Sequence, residues 1–71
     1  MNISDKEKKD AIQKRTDAIK ICKILLSLKE KILNETSELN RTTQQQKSLD
    51  LYEHDLYMIR DYYDIKTNEL N

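Results

Sequence analysis

The sequence predicts an all-α fold: an antiparallel two-helix hairpin of coiled-coil character that packs on partner helices. Three observations lead there. The 71 residues contain no glycine and no proline, so nothing in the composition interrupts a long helix. Charged and apolar residues each make up 37%, a balance found in long helices and coiled coils. Two stretches of 3–4-spaced apolar residues flank a segment rich in Asn, Ser and Thr. The length admits one domain, residues 1–71.

The first helix is predicted over about residues 5–35. Ser4 and Glu7 have the spacing of a capping box, and Asp5 and Glu7 suit the positive end of a helix. Residues 5–17 are mostly polar, and their role is not legible. From Ala18 onward, Ala18, Ile21, Leu25, Leu28, Ile32 and Leu39 form a 3–4 seam. A second row, Ile12, Ile19, Cys22, Leu26 and Leu33, runs beside it, and Ile24 widens the other edge. Together they span an arc of about 240°, more than one partner helix covers.

After Leu33 the helix weakens. Asn34, Thr36, Ser37, Asn40, Thr42 and Thr43 compete for backbone hydrogen bonds, so a turn is expected over about residues 36–43. Thr43 with Gln46, or Thr42 with Gln45, can cap the next helix.

The second helix is predicted over about residues 44–67. Leu49, Tyr52, Leu56, Ile59 and Tyr63 form its seam toward the first helix, continuing to Leu70. The hairpin core is therefore read as Ala18, Ile21, Leu25, Leu28 and Ile32 against Leu49, Tyr52, Leu56, Ile59 and Tyr63. A second apolar set, Leu51, Met58, Tyr62 and Ile65, lies about 120° around the same helix. With Ile19, Cys22 and Leu26, these four are the expected partner-binding residues. Tyrosine is rigid, large and amphipathic, and suits an interface.

Charge supports the antiparallel pairing. Residues 1–33 hold nine Lys or Arg against five Asp or Glu, whereas residues 42–71 hold three against six. The net charge is zero, so strong non-specific attraction to nucleic acid is not expected. No apolar run approaches the roughly 20 residues of a membrane span, and a lone cysteine fits a reducing compartment. A cytoplasmic protein is expected.

No chemistry-bearing constellation emerges. His54 can pair with Asp50 or Asp55, but lacks companions for a metal site. Cys22 and His54 have no third group to orient them, and Cys22 sits in an apolar row. The carboxylates Asp50, Glu53, Asp55, Asp61 and Asp64 are spread along a helix, as a solvated face is. The basic run Lys6, Lys8, Lys9, Lys14, Arg15 is interleaved with acids. An enzyme, a cofactor and a metal are not expected.

One region resembles a known group. Gln44-Gln45-Gln46 followed by Leu49, Leu51, Glu53, Leu56, Ile59 and Tyr62-Tyr63, in a chain of this size and layout, is similar to the YscE/EscE-like family of small type III secretion needle-subunit co-chaperones. The resemblance implies a helical hairpin that binds a larger, tetratricopeptide-like (helical-repeat) chaperone. Through that chaperone it would help keep the needle subunit soluble and unpolymerised before export. The long polar start departs from the family's pattern. The competing expectation is a homodimeric four-helix-bundle adaptor or regulator with no secretion role; a homodimer is also expected when the partner is absent.

Overall fold

The structure, a computed structural model, describes residues 4–71 and is all-helical in the expected hairpin arrangement. Helix α1 spans Asp5–Glu35 and helix α2 spans Thr43–Tyr63; single 3₁₀ turns lie at Glu38–Asn40 and Thr67–Leu70. The two helices pack side by side in a rod about 55 Å long.

Local chemistry sets each boundary. The Ser4 hydroxyl accepts from the Glu7 amide at 3.2 Å, capping α1. At the other end Thr36 turns extended, and both its N–H and its hydroxyl donate to the Ile32 carbonyl. The residue that caps α2 is Thr42. Its hydroxyl accepts from the Gln45 amide at 3.0 Å, and the Gln45 side chain accepts the Thr42 N–H at 2.9 Å.

Helix α2 is shorter than its apolar pattern implies. It was expected to reach about Thr67 and stops at Tyr63, because Asp64 adopts the left-handed conformation (φ 51°, ψ 50°). The Ile65 N–H then donates to the Arg60 carbonyl at 3.0 Å, and the Asp64 N–H to the Asp61 carbonyl at 3.4 Å. This is a Schellman ending with aspartate in glycine's usual place. The left-handed turn costs about 1–2 kcal/mol in an ordinary residue, less in Asp. It folds Ile65 into the core, where it is 3% exposed, and burying such a side chain contributes about 1.5–3 kcal/mol. Burial wins. Residues 64–71 thus form a strap that runs back across the helices and packs against α1.

The core is small. Ala18, Cys22, Leu56 and Ile65 form its buried cluster, with Ile19, Leu25, Leu26, Ile59, Tyr63 and Leu70 packed partly against it. Leu49 is buried nearer the turn.

The strap also rotates α1 from its expected orientation. The seam was read as Ala18, Ile21, Leu25, Leu28 and Ile32. Ile21 (47%) and Leu28 (39%) are exposed instead, while Cys22, expected at a partner surface, is wholly enclosed. Ala18 and Cys22 are small and allow close approach, and the strap supplies a third layer over their side of the helix. Ile65 was likewise placed on the partner-binding face and belongs to the core. Ile19 and Leu26 are half-buried against that core. Leu39, assigned to the seam, lies beyond the end of α1 in a 3₁₀ turn and is 97% exposed.

Candidate helix-docking face

The hairpin has two broad sides, and the strap covers one. On that side a groove of about 710 Å³ is lined by Leu26, Lys29 and Glu30 of α1, Glu53 and Tyr57 of α2, and Leu70 of the strap. The Lys29 ammonium bridges to the Glu53 carboxylate across it at 3.3 Å.

Two arginines fasten the strap. Arg15, on α1, donates from Nε to the Tyr63 carbonyl (3.1 Å) and from an Nη to the Asp64 carbonyl (3.1 Å). Its guanidinium also grips the Glu69 carboxylate through both oxygens, at 2.8 and 2.9 Å. One side chain therefore satisfies open carbonyls at the end of α2, where the helix dipole is negative, and ties down the last turn. From the other helix, Arg60 donates to the Ile65 carbonyl and to the Thr67 hydroxyl. Glu69 additionally accepts the Lys66 backbone N–H at 2.7 Å. The Arg15 hydrogen bonds, aided by that of Lys66, pull the Glu69 carboxyl from the usual 4.5 down to about 2.

The opposite side is uncovered. Taken at about 100° per residue, Ile21, Ile24 and Leu28 sit about 160° around α1 from the groove residues, with Ala18, Cys22 and Leu25 between them. On α2, Leu51, Met58 and Tyr62 sit about 120° from Glu53, Tyr57 and Asp61, with Leu49, Tyr52 and Leu56 between. In both helices the interhelical residues separate the two sets, so both exposed sets emerge on the side away from the strap. All six side chains are exposed, Tyr62 most of all at 81%. The ring of Tyr62 is held edge-on to Tyr63, centroids 4.8 Å apart. Ile32, Tyr52 and Ile59, half-buried, fill the floor between the rows. Asp55, also half-buried, is a polar interruption within the α2 row.

Of the residues expected at a partner surface, Leu51, Met58 and Tyr62 are therefore available there. Cys22 and Ile65 lie within the fold, and Ile19 and Leu26 flank the strap. Ile21, Ile24 and Leu28 take their place. The width of the apolar arc in α1 was the signal for them, but the seam was centred about 60° from where it packs.

Cys22 is far from reactive geometry: burial pushes its thiol above the usual range, and Arg60 only partly offsets this. Among the described residues, no group of three or more His, Cys, Asp or Glu side chains gathers around one point, and no helix is long and apolar enough to cross a membrane. No family model, curated protein or solved structure matches the chain.

Proposed function

We propose that this chain is a small binding protein that docks on helices of a larger partner through the uncovered face of its hairpin. The observation that carries the reading is the coincidence of Ile21, Ile24 and Leu28 with Leu51, Met58 and Tyr62 on one side of the rod. Aligned apolar rows on two adjacent helices form a shallow groove into which a third helix packs. A core this small gains stability from such a partner.

The resemblance of residues 44–63 to needle-subunit co-chaperones supplies the partner's class. On this proposal the partner is a cytoplasmic helical-repeat chaperone of a type III secretion system. The complex keeps the needle subunit soluble and unpolymerised until export. The hairpin's part is to cover apolar surface on the chaperone, and the needle subunit is reached through that chaperone.

The test is co-expression with a helical-repeat chaperone and needle subunit from the same secretion system, followed by size-exclusion chromatography. The proposal expects a complex containing all three chains, lost in the Met58→Asp variant. Wild-type protein that elutes apart from both overturns it.

A further inference from the structure

The uncovered face carries a charge pattern that its apolar residues do not explain. On α1 the outer edge of that face, facing away from α2, is formed by Lys20, Ser27, Lys31 and Asn34. On α2 the corresponding edge is formed by Asp61, His54, Asp50 and Lys47. All eight are exposed. Contacts within the hairpin fix which residues are level: Lys29 meets Glu53, and Arg15 meets the Asp64 carbonyl. By that alignment Lys20 is level with Asp61, Ser27 with His54, Lys31 with Asp50, and Asn34 with Lys47.

A two-fold axis parallel to the helices preserves level. It lays α1 of one copy over α2 of the other, antiparallel, with the two uncovered faces in contact. Lys20 then opposes Asp61 of the second copy and Lys31 opposes its Asp50, while Ser27 and Asn34 meet His54 and Lys47. Each pairing occurs twice, and no like charges oppose along either edge. A two-fold axis perpendicular to the helices stacks α1 on α1 and sets lysine edge against lysine edge.

We infer that in the absence of another partner the uncovered face closes on a second copy of this chain, forming a two-fold four-helix bundle registered by Lys20–Asp61 and Lys31–Asp50 pairs. Area permits this. A face about 31 Å long, the length of α2, on a rod 20 Å wide offers about 600 Å² per copy, near the lower end of stable interfaces. Asp55 is the cost of the arrangement: a carboxylate within an apolar row weakens association while disfavouring slipped registers. The proposed function uses the same face, so the dimer is the partner-free form and a partner must displace it. The inference itself rests on the face and its edges, not on the secretion reading.

Sedimentation equilibrium on the full chain tests it. Wild type is expected to be dimeric at micromolar concentration. The double variants Lys20→Glu/Lys31→Glu and Asp50→Lys/Asp61→Lys are each expected to dissociate about tenfold more readily, and an equimolar mixture to regain wild-type association. Spin labels at Lys9→Cys in a Cys22→Ala background read the axis. The parallel axis places the two labels at the same end, within about 25 Å, and the perpendicular axis about 50 Å apart. A wild-type monomer, a mixture that stays dissociated, or the long distance overturns the inference. A charge-registered dimer that no helical-repeat chaperone dissociates instead upholds it and counts against the proposed function.

Discussion

Arg15 and Glu69, 54 residues apart, close a two-pronged ion pair that holds the end of the chain against the beginning of the hairpin. Glu69 is thereby a better acid folded than unfolded, and stability is linked to its protonation. The folded carboxyl titrates at about 2 and the free group near 4.5. Its contribution is full above pH 4.5 and is lost as pH falls toward 2. Thermal unfolding of wild type is expected to weaken across that window. In Glu69→Gln that share of the loss is absent, and the variant starts less stable at neutral pH. Equal acid sensitivity of the two proteins refutes the assignment.

The left-handed residue at position 64 tolerates some side chains and not others. Asp64→Gly is expected to stay within about 1 kcal/mol of wild type, since glycine adopts the conformation freely but loses more entropy on folding. Asp64→Val is expected to cost about 1–2 kcal/mol, because a branched Cβ crowds the backbone there. Urea unfolding monitored by circular dichroism distinguishes them. A valine variant as stable as wild type contradicts the structure at this turn.

At the start of α2, Thr42→Ala removes one half of the capping box and is expected to cost about 1 kcal/mol, with Thr43→Ala much milder. The reverse order in a denaturant series assigns the cap to the neighbouring threonine.

Core and face respond differently to substitution. Leu56→Ala is expected to cost about 2–5 kcal/mol, and Leu56→Asp, Ile59→Asp and Ile65→Asp to unfold the hairpin. Met58→Asp and Tyr62→Asp should keep wild-type helicity while losing association. Loss of helicity in the last two places their side chains in the core.

The hairpin was legible because its signals are local. Capping residues, a glycine-free run and 3–4 spacing mark where helices start and which residues share a face. The span of α1 and the choice between Thr42 and Thr43 followed from them. The end of α2 was less so, because Asp64 supplies by tolerance what glycine signals by identity, and Ile65 continued the helical pattern of Leu51, Met58 and Tyr62. The rotation of α1 depends on that strap. Cys22 enters the core only because Ile65 and Leu70 return over it, and no spacing within α1 records the return. The task of Arg15 was hidden for the same reason, in a stretch whose polarity resembled plain solvation.

Cys22 gives this protein an internal clock. Its thiol has no exposed surface, and burial keeps it in the unreactive protonated form. A reagent that consumes thiolates therefore finds it only during moments of opening. The pace of modification records how often strap and helices part, residue by residue on no other scale than time. Any molecule that seals the hairpin, whether a second copy or a foreign helix, should slow that pace without touching the sulfur.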